Sequence, residues 1–332
     1  MGSGFRHLVA AWAATASLAA GAAAGDWTLV DLGTLGGFGG IATAVSNNGV
    51  VVGCASNGAS QSRAFIYSNG QMRELWPGVG TTSCALAVNN AGMVAGRIDG
   101  EVVIWSGGQL IRTGLQGNAA AINESGLVVG DAQFGGANHA FLWNNGAVVD
   151  LGTLKGGSSK ATGVNDRNQI TGISDGNAFI YEGGAMRDLG FSPTLVAGIN
   201  ARGEVVGMMS FGHGPTPFIY DGIARELAGA YGYAGAVGIN NAGQVICSGE
   251  GVYGFLVEGG ASYRLDSLAG VAAAGGHHLE PKAINERGWM VGQNGSPDFK
   301  PFLLMPKEAP VAGNPAARPA DRKRALISRA GT

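Results

Sequence analysis

The chain has 332 residues, of which 60 are glycine and 13% are charged, and its formal net charge is -2. Glycine in a helix interior costs about 1 kcal/mol relative to alanine, so a mainly helical protein is excluded, and the lack of a Gly-x-y period excludes collagen. The near-neutral charge gives no basic excess for nucleic-acid binding. The composition therefore predicts an all-β protein with many short strands and tight turns.

The first 24 residues have the pattern of a secretory signal peptide. Arg6 and His7 precede a low-polarity run over residues 8–19, which closes on the small residues 20–24 with an Ala-x-Ala cleavage site at 22–24. Cleavage at this point starts the mature chain at Gly25. A permanent membrane helix is the weaker alternative, because the run is short and dominated by Ala and Gly. We therefore expect export to the periplasm or the extracellular space, with no membrane span in the mature chain.

A ten-residue motif recurs seven times along the rest of the chain. Its third residue is Asn in six copies, and Gly follows three residues later in six. The start-to-start spacings are 43, 34, 42, 35, 40 and 45 residues, and a four-stranded propeller blade is about 40 residues long. The copies span residues 44–53, 87–96, 121–130, 163–172, 198–207, 238–247 and 283–292.

Each copy predicts a strand, a tight turn and a second strand. The Asn side chain can bond its own backbone across the turn, and Gly supplies the positive φ that the turn needs. We therefore assign a structural role to Ser46 in the first copy and to Asn89, Asn123, Asn165, Asn200, Asn240 and Asn285. An apolar third strand follows every copy, at residues 64–67, 102–105, 140–143, 178–181, 217–220, 254–257 and 301–304. A fourth strand comes next and carries Asp/Glu-Leu pairs such as Asp150-Leu151.

The seventh copy lacks a fourth strand, because residues 306–332 form a Pro/Ala/Arg-rich tail that we expect to be disordered. An unmatched fourth-strand sequence lies at residues 27–32. We therefore predict that residues 25–305 form a seven-bladed β-propeller with four-stranded antiparallel blades, closed by the N-terminal strand pairing with the last blade. An open β-solenoid is the alternative, and it leaves residues 27–32 without a partner.

Three segments resemble the HAF-type bacterial extracellular repeat family, which is named for its His-Ala-Phe triplet. They are residues 31–37, their near copy 150–157, and the triplet His139-Ala140-Phe141. The resemblance extends over most of residues 27–304, although only one repeat keeps the full triplet. It implies secretion and a repeat fold, and it implies no particular chemistry.

The predicted ligand site lies on the propeller face that carries the long loops, around the mouth of the central channel. Loop variation on a rigid frame is where binding residues usually occur. Aromatic rings beside polar groups suit a glycan or a peptide, although single rings can also serve to pin a loop to the frame. The candidate ligand-binding residues are Trp76, Arg97, Phe211, His213, Tyr231, Tyr233, His277 and Lys282.

The sequence favours a binding or scaffold protein that holds a glycan or a protein partner. The alternative is a polysaccharide lyase or hydrolase, with His213 or His277 as base and Arg97 or Lys282 neutralising charge. No HExxH, EF-hand or P-loop motif is present, and no catalytic residue, cofactor or metal is assigned. His139 is assigned a structural hydrogen bond, and we expect a monomer.

The three cysteines of an exported chain leave at least one unpaired. Cys54 and Cys84 are predicted on the same face of adjoining blades, and they are the candidate disulfide, although spacing alone cannot establish the geometry. Cys247 replaces the Gly that ends the other copies of the motif, and we expect a buried free thiol there.

Overall fold

The structure, a computed structural model, describes residues 26–307 except 213, 228–233, 250–251 and 296–298. The predicted signal peptide and the tail beyond Lys307 lie outside the described residues. Two 3₁₀ turns occur among the described residues, at Leu265–Ser267 and Ala272–Ala274. In chain order the strands are β1 (Trp27–Asp31), β2 (Gly36–Val45), β3 (Val51–Asn57), β4 (Ser62–Ser68), β5 (Gln71–Glu74), β6 (Ser83–Val88), β7 (Val94–Ile98), β8 (Glu101–Ser106), β9 (Gln109–Ile122), β10 (Val128–Phe134), β11 (Ala137–Asn144), β12 (Ala147–Asp150), β13 (Ser159–Val164), β14 (Ile170–Ser174), β15 (Asn177–Glu182), β16 (Ala185–Asp188), β17 (Leu195–Ile199), β18 (Val205–Ser210), β19 (Pro215–Tyr220), β20 (Ala224–Glu226), β21 (Gly235–Ile239), β22 (Val245–Gly249), β23 (Val252–Glu258), β24 (Ala261–Arg264), β25 (Leu279–Ile284), β26 (Met290–Asn294) and β27 (Pro301–Pro306).

The strands form antiparallel sheets, five with four strands and one with seven. The four-stranded sheets have the orders β2-β3-β4-β5, β13-β14-β15-β16, β17-β18-β19-β20, β21-β22-β23-β24 and β1-β27-β26-β25. In the seven-stranded sheet the long strand β9 pairs with β8 through its first part and with β10 through its last part. The prediction of an all-β protein with mostly four-stranded antiparallel sheets is therefore confirmed.

We number seven repeat units by the copy of the motif that each contains. Unit 1 is β2 to β5, unit 2 is β6 to β8 with the first part of β9, and unit 3 is the rest of β9 with β10 to β12. Units 4, 5 and 6 take four strands each in chain order. Unit 7 consists of β25 to β27 together with β1. The first strand of each unit is called its inner strand.

The inner strands all carry a one-residue shift in register close to the start of the motif. Such a bulge bends a strand and increases its twist. The first motif residue is Ala or Gly because neighbouring inner strands approach closely. A Cβ added at Gly163 of unit 4 would lie 3.1 Å from the Cα of Gly198 in unit 5. Larger side chains are therefore excluded there.

The hydrophobic core lies between neighbouring units. The third strands bury consecutive residues, so that Val102, Val103 and Ile104 in β8 are all fully buried. Sheets covered on both faces have this pattern, whereas a sheet with one solvated face alternates. One core cluster joins Val51 and Phe65 of unit 1 to residues of unit 7, and similar clusters join the following pairs of units.

The first described strand pairs with the last one. β1 lies antiparallel to β27, with Leu29 opposite Leu304 and Trp27 opposite Pro306. Trp27 is 1% exposed and packs into the core, and the N–H of Leu32 donates to the carbonyl of Pro301 at 3.0 Å. The sequence prediction that residues 27–32 supply the missing strand of the last copy agrees with this pairing.

Candidate functional site

The two ends of the units differ in their connections. The turn face consists of the seven motif turns, such as residues 46–50, and of the short hairpins between third and fourth strands, such as residues 69–70. The long-loop face consists of the connections between second and third strands and of those between units, such as residues 75–82.

On the turn face, a hydrogen-bonded ring links the third motif residues of successive units. In six junctions the Asn Nδ2 donates to the carbonyl of the third residue in the next copy, at 2.9–3.3 Å. The last of these bonds runs from Asn285 to Ser46, across 239 positions of sequence. Each Asn Oδ1 also accepts the N–H four residues later, as Asn89 does from Met93 at 3.0 Å. The predicted structural role of these Asn residues is confirmed.

A second ring links the fourth motif residues. The backbone N–H of one unit donates to the side-chain oxygen at the same position in the next unit, in six junctions, at 2.7–3.0 Å. Ala201 interrupts the ring because its methyl group cannot accept a bond from Asp166. The residues at this position are Asn47, Asn90, Glu124, Asp166, Ala201, Asn241 and Glu286.

The rings surround a cavity of about 250 Å³ at the centre of the turn face. Aliphatic residues such as Val45 and Ile199 contribute to its lining, and the carboxylates of Glu124, Asp166 and Glu286 lie around it. Although part of its side chain is exposed, desolvation in the cavity raises the pKa of Glu286, and the charge of Asp166 raises it further. No group of three His, Cys, Asp or Glu side chains suited to a metal ion occurs among the described residues.

The third and fourth strands are joined by paired polar side chains near the long-loop face. His139 Nδ1 lies 2.9 Å from the Asp150 carboxylate, so its predicted structural hydrogen bond is confirmed. The N–H of Gly190 and the amide of Asn177 lower the pKa of Asp188. The corresponding pairs elsewhere are Arg63–Glu74, Arg112–Glu101 with the charges exchanged, and Lys300–Asp31. These pairs link the third and fourth strands within a unit.

Two predicted aromatic ligand residues pack against the protein itself. Trp76 is only 2% exposed and lies in the core between units 1 and 2, with its ring against Gly96. The prediction that Trp76 offers surface to a ligand is therefore corrected, because the connection after β5 folds back over the neighbouring sheet. Phe211 is half-buried and packs against the core between units 4 and 5.

Polar side chains on the long-loop face form a continuous arc over units 2 to 4, which we call the polar arc. Exposed Arg97 donates from Nη1 to Asn118 Oδ1 at 2.7 Å, and its other N–H groups have no partner among the described residues. Asn118 lies opposite Asp131 in the sheet register. Asp131 accepts a bond from Asn138 at 3.0 Å, and its Oδ1 lies 3.8 Å from Lys160 Nζ.

The arc is rich in donors. Lys160 is 57% exposed at its side chain and has no hydrogen-bond partner within the described ranges, while Oδ1 of Asp131 is buried without a hydrogen-bond donor. Two cations accompany one carboxylate, so the arc suits a ligand with negatively charged oxygens. Of the five residues of the arc, only Arg97 is among the ligand-binding residues predicted from the sequence. The signal that could have identified the others is that polar residues occupy equivalent positions in successive repeats. Asp131, like Arg97, directly follows a copy of the motif, and Asn118 and Lys160 each lie three residues before a copy.

The remaining predicted residues are dispersed or lie outside the described residues. Lys282 is the half-buried bulged residue of β25 and has no polar partner in the described chain. His277 is exposed, and its neighbour His278 stacks on Tyr253 with ring centroids 4.8 Å apart. The residues outside the described ranges are His213, Tyr231 and Tyr233.

The cysteines have the predicted arrangement. Cys54 on β3 and Cys84 on β6 are joined by a disulfide between units 1 and 2. Cys84 lies opposite Arg97 in the sheet register, so the disulfide borders the polar arc. Cys247 is free and buried, and burial raises the pKa of its thiol to about 12. It therefore stays protonated at neutral pH.

The fold is similar to β-propellers of known structure. The WD40 propeller domain of Doa1 superposes with a TM-score of 0.55 at 16% identity, over 85% of this chain and 98% of that one. The structure of YCF48 bound to D1 peptide superposes with a TM-score of 0.51 at 12% identity, over 84% of this chain and 95% of that one. TolB from Acinetobacter baumannii gives 0.44 at 15%, with 78% of this chain covered, and the match spans 64% of TolB. The likenesses to the Doa1 domain and to YCF48 define the fold alone.

No protein-family model matches the sequence, and no curated protein matches it. Within the described ranges, no helix has the length and the apolar character that a membrane crossing needs.

Proposed function

We propose that the seven units form a closed seven-bladed β-propeller. The pairing of β1 with β27 supports closure, since an open solenoid would leave β1 alone. Both turn-face rings also continue from the last copy to the first, through Asn285 to Ser46 and from the N–H of Glu286 to Asn47. Closure also covers the apolar faces that the first and last units would otherwise expose, since one core cluster joins residues of units 1 and 7.

We also propose that the mature protein is exported, to the periplasm or beyond. The disulfide between Cys54 and Cys84 supports an oxidising compartment, where such bonds persist. The signal-peptide pattern of residues 1–24 and the resemblance to HAF-type extracellular repeats support the same location. The propeller, the export signal and the disulfide are consistent with one another.

The function that the geometry supports best is binding of an acidic saccharide at the polar arc. The observation that carries this proposal is the unsatisfied donor capacity of Arg97 and Lys160 beside the half-buried amide of Asn118. A carboxylate accepts paired bonds from a guanidinium, and sugar hydroxyl groups both donate and accept. The titratable pairs of the repeat units bond to each other, which favours binding over catalysis.

A protein partner is the second candidate ligand. The structure of YCF48 bound to D1 peptide is that of another propeller holding a peptide, and the fold is the feature that the two proteins share. Our proposal for a peptide rests on the long-loop face in general, where Phe38 is 71% exposed on a glycine-rich segment. Exposed aromatic side chains are frequent in protein interfaces.

The test is calorimetric titration of the purified mature protein with oligogalacturonate and with a neutral galacto-oligosaccharide. We expect binding of the acidic ligand and a loss of about tenfold or more in affinity in Arg97→Ala and Lys160→Ala. Arg225→Ala is the matched control, because this exposed arginine pairs with Asp221 away from the arc. Equal affinity for both sugars, or no effect of the arc variants, overturns the proposal.

The same samples test the alternative activity. A lyase would produce unsaturated ends that absorb ultraviolet light, and a hydrolase would produce new reducing ends. Turnover that is lost in His277→Ala would replace the binding proposal with the enzyme proposal. Binding of an acidic peptide in preference to the saccharide would instead favour the protein partner.

A further inference from the structure

The junction between units 1 and 2 lacks the hydrogen bond that the other junctions share. Six junctions use an Asn amide to reach the next copy, but the first copy has Ser46 at this position. The Ser46 hydroxyl instead accepts the N–H of Val50 at 3.1 Å. The carbonyl of Asn89 therefore has no amide clamp from unit 1, although it accepts the N–H of Gly92 within its own turn. Unit 1 instead reaches unit 2 through Asn48, whose Nδ2 donates to the carbonyl of Asn90 at 2.7 Å at the exposed tip of the turn.

The chain's disulfide lies at this same junction. It joins β3 in unit 1 to β6 in unit 2, and the third cysteine of the chain, Cys247, is free. Both Cys54 and Cys84 are half-buried on the wall that also bears Arg97, so a small reductant can reach them. Of the seven junctions between units, the one that has the disulfide is therefore also the one that lacks the Asn clamp.

We infer that the Cys54–Cys84 disulfide replaces the missing Asn clamp, and that this junction is the one that loosens when the bond is reduced. A dithiol supplies two electrons and two protons, the S–S bond breaks to give two thiols, and the dithiol itself becomes a disulfide. The inference depends on the geometry of the junction and not on the proposed ligand.

Other contacts keep the two units together after reduction. Thr43 Oγ1 donates to the carbonyl of Ala85 at 2.8 Å, and the N–H of Asn47 donates to Asn90 Oδ1 at 2.7 Å. Reduction therefore increases local opening of β2 and β6 and does not separate the units. Local opening of this kind is measured by amide hydrogen exchange.

The experiment is hydrogen exchange of the purified mature protein with and without dithiothreitol, and alkylation to count thiols. We expect two additional reactive thiols and exchange in β2 and β6 that is about tenfold faster, with β17 in unit 5 unchanged. In Ser46→Asn the new amide can reach the Asn89 carbonyl. We therefore expect this variant to recover most of the lost protection under reducing conditions.

Asn89→Ser is the matched control, since it removes the equivalent clamp from the junction between units 2 and 3. It should increase exchange at that junction in both redox states and leave the effect of dithiothreitol on β2 unchanged. The inference is overturned if the bond resists reduction, if reduction alters exchange uniformly over all units, or if Ser46→Asn restores nothing. A Cys54→Ser/Cys84→Ser protein, with and without Ser46→Asn, provides the same comparison without reductant.

Discussion

The turn face and the long-loop face are built from the same seven units and behave differently. On the turn face, two motif positions make the same two hydrogen bonds in six of seven junctions. On the described part of the long-loop face, a buried arginine, a disulfide and the polar arc each occur in one place only. Positions that repeat maintain the frame, and positions that do not repeat are free to acquire a ligand.

The difference also explains why chemical type alone is a poor guide to the site. Asn, Asp and Glu side chains form rings around a cavity on the turn face, yet they bond to the backbone of their own unit or of the neighbouring one. Arg63 is a charged residue on the long-loop face, but it is 3% exposed and bonds to Glu74 and to three carbonyls of the following connection. The polar arc differs because Arg97 and Lys160 retain donors that have no described partner.

The largest effect that we predict comes from Trp76, a core residue on the long-loop side. Trp76→Ala should lower the free energy of unfolding by about 3–5 kcal/mol, because it leaves a cavity between units 1 and 2. Phe38→Ala is the control, since Phe38 is 71% exposed, and it should change stability by less than about 0.5 kcal/mol. Chemical denaturation measures both. Similar effects of the two substitutions would contradict the assignment of Trp76 to the core.

A smaller effect is expected on the turn face. Asn123→Ala removes the clamp to the carbonyl of Asn165 and leaves the N–H of Leu127 without its side-chain acceptor. The free energy of unfolding should fall by about 1–3 kcal/mol, the usual cost of unsatisfied buried polar groups. Asn144→Ala at an exposed strand end is the control and should be nearly neutral. An equally neutral Asn123→Ala would show that the ring contributes little to stability.

The smallest predicted effect concerns the pH dependence of stability. Because the folded-state pKa of Glu286 lies above its ordinary value, folding favours its protonated form, and its ionisation lowers stability as the pH rises through the folded pKa. Glu286→Gln should therefore raise the melting temperature near pH 7, and the gain should vanish below the ordinary Glu pKa. Glutamine keeps an oxygen that can accept the N–H of Asn241. A gain that is larger in acid would contradict this account.

The sequence predicts the repeated parts of the fold well. The predicted third strand at residues 64–67 lies within β4, and the one at residues 102–105 lies within β8. Local rules are sufficient there, because a turn residue and a run of apolar residues determine each strand. The pairing of residues 27–32 with the last copy follows from counting strands, since the last copy lacks a fourth strand and residues 27–32 have a fourth-strand sequence.

The parts that could not be predicted depend on tertiary contacts. The motif spacing of 34 residues between units 2 and 3 is the shortest. The fourth strand of unit 2 therefore continues directly into the inner strand of unit 3 as β9. The fourth strands were predicted from Asp/Glu-Leu pairs. In unit 2 the fourth strand has Arg112 in place of the acidic residue, and the acidic partner Glu101 lies on the third strand, so this signal is absent. Whether Trp76 lies in the core or on the surface depends on the path of the connection between β5 and β6, and the sequence of this connection is not repeated in the other units.

Closure by the N-terminal strand is tested most directly by a crosslink between β1 and β27. Thr28 and Met305 are opposite each other in the register. Directly opposed residues of antiparallel strands have Cα atoms about 4.5–5.5 Å apart, which is within the range of a disulfide. We predict that Thr28→Cys/Met305→Cys forms this bond under mild oxidation, so that mass spectrometry of a digest finds the two peptides linked. The comparison is Thr28→Cys/Arg187→Cys, whose second position lies on β16 of unit 4. Equal crosslinking in the two proteins, or none in the first, would contradict closure of the ring.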